Sequence, residues 1–330
     1  MSVWAFPGQG SHRAQMAAGL RGANPLFAVA RDAVGRDLEA TCTVDPNPEW
    51  APALIQPALF VVCVAAAQAH LEAGFEPDAV LGHSFGEYAG LAVAGAFSIE
   101  DGLRLVAVRG RAMARLAATG TGMMAVLGLS EAAVRSVCDE VRSRGPLVEI
   151  ANVNSPSQIV LSGDETALEE AAERCKDRGA LRVRTLRVPY AAHSSLMAPA
   201  AVELSDALAG VPISRPRVPF YSGVTGDSTE DPQEIRDLLA RAMTSPVLFA
   251  RSVRAAARDG HRSFVELGPG SPPRLLGLVE ETLAGLDLDL ELAIVSSDDE
   301  AREPRPFHDA WQRRATPSGA PERAHPERVH

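Results

Sequence analysis

The sequence predicts an α/β protein in which a mostly parallel, helix-covered sheet carries a smaller inserted unit. Short apolar segments typical of buried strands alternate with longer segments typical of helices, which is the pattern of a parallel sheet covered by helices. The strands are expected at residues 3–6, 79–81, 218–221 and 263–267, and the helices at 56–73, 86–94 and 99–116. A change of pattern after Gly120-Thr121-Gly122 marks the insertion.

The inserted segment reads strand, helix, strand, strand, helix, strand, which is the ferredoxin-like order. Its strands are expected at 123–127, 148–153, 158–162 and 181–188, and its helices at 130–142 and 165–178. We therefore predict a ferredoxin-like subdomain over residues 121–189, inserted into a core formed by 1–120 and 190–297. Residues 298–330 are rich in charge and proline, and they predict a disordered tail.

Composition excludes several classes of function. A chain of 330 residues with 46% hydrophobic and 22% charged residues is ordinary for a soluble enzyme. Its four cysteines show no C-x-x-C spacing, which favours reduced thiols in the cytoplasm and no metal site. A formal charge of −10 argues against nucleic-acid binding. We find no apolar run near the roughly 18–20 residues of a membrane span, and we expect a cytoplasmic monomer without membrane contact.

A candidate nucleophile lies in Gly82-His83-Ser84-Phe85-Gly86. A small–x–Ser–x–small pattern between an apolar strand and a helix is typical of a nucleophile elbow, where the serine occupies a strained, exposed corner. Glycines on both sides keep side-chain bulk away from that corner. The pattern also occurs in ordinary turns, so alone it makes Ser84 a candidate only.

An acyl-transfer serine also needs two donors for the developing oxyanion. One is the amide after the nucleophile, that of Phe85, and the other comes from a separate loop. The turn Pro7-Gly8-Gln9-Gly10-Ser11 exposes successive amides, and Gln9 is the candidate. A plain strand-to-helix turn explains the same residues, and without further information it is the simpler interpretation.

His193 is the candidate base among eight histidines. It follows an extended segment and stands at a predicted helix start, where loops present catalytic groups. His83 is the neighbour of Ser84, but adjacent side chains on a tight turn diverge, so we expect it to shape the corner. His12 is expected at the mouth of a cleft near Gln9.

Eight short motifs occur in an order that resembles the malonyl-CoA:acyl-carrier-protein transacylase family, which also supplies the acyltransferase domains of polyketide synthases. The resemblance covers roughly residues 1–297, and it implies a hydrolase-like core whose active site lies in a cleft beneath the insert. The motifs are Phe6-Pro7-Gly8-Gln9-Gly10-Ser11, Gln56-Pro57-Ala58-Leu59, Gly82-His83-Ser84-Phe85-Gly86-Glu87-Tyr88, Arg109-Gly110-x-x-Met113, Ala151-Asn152-x-Asn154-Ser155-Pro156, His193-x-x-Leu196-Met197, Ser245-Pro246-Val247 and Glu266-x-Gly268-Pro269-Gly270.

The resemblance implies a role for each matching position. Ser84 would be acylated, His193 would act as base and then acid, and the amides of Gln9 and Phe85 would bind the oxyanion. Arg109 would hold the carboxylate of a malonyl-type group, for which the guanidinium fork is suited. Without the resemblance, we would predict that Arg109 is a solvent-exposed arginine on a helix, because other arginines lie close to it in the sequence. Ala242 replaces a glutamine whose backbone carbonyl, in many relatives, orients the histidine.

The implied reaction moves a malonyl-type acyl group from CoA to the phosphopantetheine thiol of an acyl carrier protein, in polyketide or fatty acid biosynthesis. No cofactor is implied beyond the CoA thioester and the carrier's phosphopantetheine as substrates. Alternatives are a proofreading thioester hydrolase of the same fold, an acyl shuttle between carrier proteins, and a non-catalytic carrier-binding module. The presence of Ser84, His193, Gln9 and Arg109 together disfavours the last of these.

Acyl selectivity is expected at Tyr190, Ala192 and Phe85. In the resembled family a phenylalanine just before the histidine goes with malonyl, and Tyr-Ala-Ser-His goes with methylmalonyl. This chain has Tyr190-Ala191-Ala192-His193, and the small Ala192 leaves room for an α-substituent. We expect malonyl-CoA to be accepted and α-substituted malonyl-CoA to be tolerated.

Carrier docking is expected at Arg182 and Arg184. Carrier proteins are generally acidic and this chain is acidic too, so a local basic patch must overcome the overall repulsion. Strand alternation places these two side chains on one face and Arg187 on the other. An edge strand protected by arginines explains the same pattern equally well.

Overall fold

The structure is a computed structural model that describes residues 1–20, 23–45, 50–117, 120–270, 272–286, 288–296 and 305–306. In these residues the strands are β1 (Ser2–Phe6), β2 (Ala79–Gly82), β3 (Thr121–Leu127), β4 (Val148–Ser155), β5 (Gln158–Asp164), β6 (Arg182–Thr185), β7 (Phe220–Tyr221), β8 (Ser228–Thr229), β9 (Ser263–Gly268), β10 (Glu291–Ser296) and β11 (Arg305–Pro306). The helices are α1 (Ala23–Val34), α2 (Glu39–Thr43), α3 (Pro52–Glu72), α4 (Gly86–Val93), α5 (Ile99–Arg115), α6 (Glu131–Arg142), α7 (Glu165–Asp177), α8 (Ala198–Ala209), α9 (Pro232–Arg241), α10 (Phe249–Arg258) and α11 (Leu276–Leu283).

The larger sheet has the strand order β11-β10-β9-β1-β2-β7-β8. Its central strands pair in parallel, and only β8 and β11 pair antiparallel, at the two edges. Helices cover both faces of this sheet. Alternate residues of a strand point to opposite faces, and those of β1 pack in two different hydrophobic cores. Trp4 and Phe6 pack on the α3 side, whereas Val3 and Ala5 pack with α10 and α11. This mostly parallel, helix-covered sheet confirms the predicted fold class.

Helix α3 corrects one expectation from the sequence. By length and composition Pro52–Glu72 could cross a membrane, so the expectation of no apolar run of that length is wrong. Of its most apolar window, 78% is buried inside the fold. The helix lies between α5 and strand β9, as the central helix of a globular core does.

The smaller sheet is antiparallel with the order β4-β5-β3-β6, and its helices α6 and α7 share one hydrophobic core with it. This order and the β-α-β-β-α-β connection are those of a ferredoxin-like unit. Strand β6 is shorter than the predicted 181–188 and ends at Thr185. The residues that follow, 186–189, line cavities instead.

A β-bulge in β4 decides which side chains reach the other face of the small sheet. Register shifts lie between Ile150 and Asn152 and between Val153 and Ser155. Ile150 and Val153 both pack into the core beneath α6, although regular alternation would separate them. Asn152 and Asn154 are therefore turned away from that core.

Two further expectations need correction. Only Phe220–Tyr221 is a strand within the predicted 218–221, since Pro219 has no amide to pair within a sheet. Within the predicted tail 298–330, Arg305–Pro306 pairs with β10 as a short strand, so at these residues the prediction is wrong. The rest of that prediction lies outside the described residues.

Candidate active site

Ser84 lies on the sharp turn between β2 and α4, and its φ of 56° is a left-handed conformation that is rare for a serine. The flanking glycines are required by close packing. A Cβ at Gly82 would lie 2.1 Å from the amide nitrogen of Glu87, and one at Gly86 would lie 2.2 Å from the carbonyl oxygen of Phe6. This is the strained corner that the small–x–Ser–x–small pattern predicts.

His193 lies opposite Ser84, also with a left-handed backbone, at a φ of 60°. Its Nε2 is 2.8 Å from the Ser84 Oγ. Its Nδ1 is 2.8 Å from the carbonyl oxygen of Ala242 and 3.2 Å from that of Ser245. Because a carbonyl only accepts, Nδ1 carries the proton and Nε2 presents a lone pair to the serine hydroxyl. The backbone of Ala242 thus makes the contact without a glutamine side chain.

Burial and, secondarily, the positive charge of Arg109 lower the pKa of His193 to about 3. A neutral imidazole is the form that accepts a proton. The environment therefore keeps His193 ready to act as a base at ordinary pH.

Arg109 is the third member of the site, and it is only 1% exposed. Its Nη1 donates to the Gln56 Oε1 at 2.8 Å and its Nη2 donates to the Ser84 Oγ at 3.1 Å. Its Nε has no hydrogen-bond partner, and no carboxylate of the described residues pairs with the guanidinium. The solvated arginine expected from the residues alone is wrong here, whereas Arg104 and Arg115 on the same helix are exposed and paired with Glu100 and Glu203.

An inner cavity of about 180 Å³ brings the core and the insert together above these groups. The core contributes Ser84, Arg109 and His193, and the insert contributes mainly small, apolar and amide side chains, among them Ala125, Asn152, Asn154, Gln158 and Val160.

His83 and Asn154 connect the nucleophile turn to the insert. The Nε2 of His83 lies 2.7 Å from the Asn154 Oδ1, and the Asn154 Nδ2 donates to the Gln158 Oε1 at 2.9 Å. His83 therefore shapes the corner, as predicted, rather than serving as a base. The sequence analysis includes Asn152 and Asn154 only as part of a motif, since the bulge that turns them toward the cavity has no signal in the sequence. It does not identify Gln158.

An outer cavity of about 710 Å³ leads to the inner one. Gln9, Met123, Leu186 and Val188 line both cavities. His12 lines the outer one beside Gln9, as expected, and its ring lies edge-on to Trp50. These shared residues place the two cavities side by side, with Ser84 in the inner one.

The predicted oxyanion donors have free amides. Among the described residues, the backbone amides of Gln9 and Phe85 donate no hydrogen bond within the protein. The Gln9 side chain is held by Tyr190, whose hydroxyl donates to the Gln9 Oε1 at 2.8 Å.

The three residues expected to select the acyl group differ in position. Ala192 and Tyr190 line the inner cavity. The side chain of Phe85 is fully buried in the hydrophobic core and lines neither cavity. Phe85 can therefore reach the substrate through its backbone amide, but its side chain does not contact the acyl site.

Arg182 and Arg184 lie on the edge strand β6, both exposed and without an ion pair to the described residues. Arg184 pairs in register with Ala125, which lines the inner cavity, whereas Val183 pairs with Val126 of the insert core. The two arginines thus share the cavity side of the small sheet. Arg187 lies beyond the end of the strand and lines the outer cavity, so the expectation that it occupies the opposite face of β6 is wrong.

A serine on a nucleophile elbow, a neutral histidine beside it and free amides define a serine-dependent acyl-transfer class of site. Residues 3–287 match the acyl transferase domain family, and the chain belongs to this family.

Two curated relatives support the assignment. Over 278 residues the chain is 37% identical to the malonyl CoA-acyl carrier protein transacylase of Salmonella typhimurium, with 81% of this chain and 89% of the relative covered. The corresponding protein of Bacillus subtilis is 38% identical, with coverages of 72% and 77%.

Solved structures show the same similarity. The malonyl CoA-acyl carrier protein transacylase from Coxiella burnetii superposes with a TM-score of 0.82 at 31% identity, over 90% of this chain and 94% of that chain. A malonyl-transacylase solved in complex with its type II PKS acyl-carrier protein gives 0.84 at 32% identity, with coverages of 94% and 99%.

Proposed function

We propose that this protein transfers a malonyl-type acyl group from CoA to the phosphopantetheine thiol of an acyl carrier protein through a Ser84 acyl-enzyme. The observation that carries the proposal is Arg109, a buried guanidinium beside the nucleophile that lacks a carboxylate partner. Buried Glu87 acts on Arg109 electrostatically but forms no ion pair with it and accepts from the Gly223 amide instead. A buried guanidinium without a direct carboxylate contact is costly, and a carboxylate on the acyl group supplies that contact. The names of the relatives give the same acyl group and acceptor.

The reaction proceeds in two acyl transfers. His193 Nε2 takes the hydroxyl proton of Ser84 as Oγ attacks the thioester carbon, and the amides of Gln9 and Phe85 stabilise the oxyanion. The C–S bond then breaks, and the proton passes from His193 to the CoA sulfur. In the second transfer the carrier thiol gives its proton to His193 and attacks the ester carbon, and Ser84 recovers the proton.

The outer cavity is the route we assign to the pantetheine arm of both substrates, and Arg182 and Arg184 are the site we assign to the carrier protein. Their exposure, their position on the cavity side of β6 and the generally acidic nature of carrier proteins support this docking site. CoA and carrier phosphopantetheine act as substrates, and no cofactor takes part in the proposed steps.

We also propose a cytoplasmic monomer with a core of residues 1–120 and 190–297 and an insert of residues 121–189. The two separate sheets support the division, and one face of the smaller sheet has a hydrophobic cluster with α6 and α7, while its other face packs into the main core through Met123 and Ala125. The four cysteines are buried free thiols, which suits a reducing compartment.

Acyl choice is proposed to depend on Ala192, whose methyl group lines the inner cavity next to His193. A small side chain there leaves room for a substituent on the α-carbon, so malonyl is accepted and α-substituted malonyl is tolerated. A polyketide synthase protein of Streptomyces orinoci is among the relatives, at 37% identity over 87% of this chain and 8% of its own length.

Arg109→Ala tests the proposed function. Loss of a charge-assisted contact worth roughly 2–4 kcal/mol lowers malonyl transfer by about 30-fold to 1,000-fold, and acetyl transfer does not share that loss. Carrier acylation and free acid are measured together with malonyl-CoA and acetyl-CoA, with Arg111→Ala on the exposed side of α5 as the control.

Equal losses for the two substrates would mean that Arg109 is structural. Release of free acid without carrier acylation by the unmodified protein would indicate a thioester hydrolase instead.

A further inference from the structure

The hydrogen bonds of Ser84 show that its nucleophilic oxygen is restrained while the site is empty. Because His193 Nε2 presents a lone pair, the serine hydroxyl donates to it, at 2.8 Å. The same oxygen accepts a hydrogen bond from the charged Nη2 of Arg109 at 3.1 Å. A lone pair that accepts from a cation is less available to attack a carbonyl carbon, since that hydrogen bond must weaken as the new bond forms.

The guanidinium is anchored so that one edge is left for a ligand. Nη1 donates to Gln56, which is itself buried and donates to the Met113 sulfur at 3.4 Å. Nε and Nη2 form the opposite, side-on edge; among the described residues Nε has no partner and Nη2 has only Ser84. A carboxylate accepts from two nitrogens of one edge at once.

We propose that Arg109 restrains Ser84 in the empty enzyme, and that the carboxylate of the acyl group releases the serine by taking over Nη2 together with Nε. The inference rests on the proposed function, because it requires an acyl group with a free carboxylate. The arginine then selects the substrate twice, once by binding the carboxylate and once by withholding the nucleophile from acyl groups that lack one.

The charge of Arg109 also links carboxylate binding to the basicity of His193. It contributes to the low pKa of His193, so a bound carboxylate, by cancelling that charge, raises the basicity of the histidine. Release of Ser84 and activation of its base therefore occur together. The covalent step is unchanged: the Oγ–C bond forms, the C–S bond breaks, and the proton moves through His193 to the sulfur.

Formate with acetyl-CoA separates the carboxylate from the acyl group and tests the release in the unmodified protein. The rate of Ser84 acetylation by acetyl-CoA is measured by quenched-flow intact-protein mass spectrometry, with and without sodium formate, against sodium chloride at equal ionic strength. We expect a saturable acceleration of about 10-fold to 100-fold, the factor associated with one hydrogen bond to a charged group. The formate concentrations used are those that slow malonylation by malonyl-CoA. If formate at these concentrations accelerates acetylation by less than 2-fold, or slows it, the proposed restraint of Ser84 is contradicted.

A variant gives an independent result that does not depend on formate binding. Arg109→Met should acetylate Ser84 faster than the unmodified protein and show no response to formate, whereas Arg111→Met should behave as the unmodified protein does. Slower or unchanged acetylation of a folded Arg109→Met protein, checked by thermal unfolding, contradicts the restraint. Loss of malonylation in that variant tests the carboxylate site itself, so failure of the restraint and failure of the proposed function give different results.

Discussion

The core and the ferredoxin-like insert contribute to the same cavity in different ways. The non-glycine residues with left-handed backbone in the described part of the chain are Gln15, Ser84 and His193, and all three belong to the core. Two of them are the residues paired for proton transfer. Backbone strain is thus concentrated where the chemistry is placed, as expected of functional sites.

The insert contributes a wall of the cavity, and none of its described non-glycine residues has a left-handed backbone. Its charged residues pair on the outer helices, for example Glu140 with Arg174 and Arg178. Two of its side chains bind the backbone of the loop that carries His193: Ser162 Oγ donates to the carbonyl of Ala192 at 2.5 Å, and Glu149 accepts from the amide of Ser195 at 2.8 Å. The difference indicates that the core sets the reaction, whereas the insert shapes and positions the space around it.

The largest expected loss of activity comes from a substitution in the core, at the nucleophile. Ser84→Ala removes the attacking oxygen and should lower malonyl transfer by about 10⁴-fold or more, because the covalent route is lost. Carrier acylation and intact mass after incubation with malonyl-CoA measure it. Ser136→Ala, on the exposed face of α6 in the insert, is the control and should keep full activity. Acylation of the Ser84→Ala protein at another residue would contradict the assignment of the nucleophile.

The second prediction concerns the cavity wall beside His193. Ala192→Phe places a ring in the inner cavity, so the ratio of α-substituted malonyl transfer to malonyl transfer should fall by about 10-fold to 100-fold. Both CoA esters compete at equal concentration, and malonyl transfer serves as the internal control. An unchanged ratio would show that the α-substituent lies elsewhere in the cavity.

The third prediction uses pH to examine the base of the core. His193 acts deprotonated, so kcat/KM is lost as pH falls through its pKa in the free enzyme. Burial and Arg109 lower that pKa to about 3, which places the loss well below pH 5. Between pH 7 and pH 5 we expect kcat/KM for malonyl-CoA to change less than about 2-fold, whereas an ordinary histidine pKa near 6.5 would give a roughly 25-fold loss. An acid limb near pH 6 would contradict the buried environment.

Local features of the core and the insert can be predicted from the sequence, whereas features that depend on packing between elements cannot. The elbow follows from glycines and a serine at fixed spacing, because the turn is local and its steric demand falls on those residues. The spacing of Arg109 from Leu105, Val106 and Met113 places it on the buried face of α5. Its contact with Gln56 depends on how α3 packs against α5, which the sequence does not show. The orientation of Asn152 and Asn154 depends on a bulge in β4, and the short β6 depends on how the chain leaves the sheet edge toward the cavities.

The smallest expected effect of a substitution lies at the outer edge of the insert, where the carrier protein is proposed to dock. Reversing Arg182 and Arg184 to Glu should raise the KM for the carrier by about 3-fold to 10-fold and weaken its salt dependence, because exposed charges act mainly on encounter. Malonylation of Ser84 by malonyl-CoA should stay within about 2-fold, since that step needs the core and the cavities only.

The control is the double variant Arg254→Glu with Arg258→Glu, exposed on α10 of the core, which gives the same change in net charge. If both double variants raise the carrier KM equally, the effect is general repulsion. If neither does, the carrier binds another surface and β6 is only a protected sheet edge.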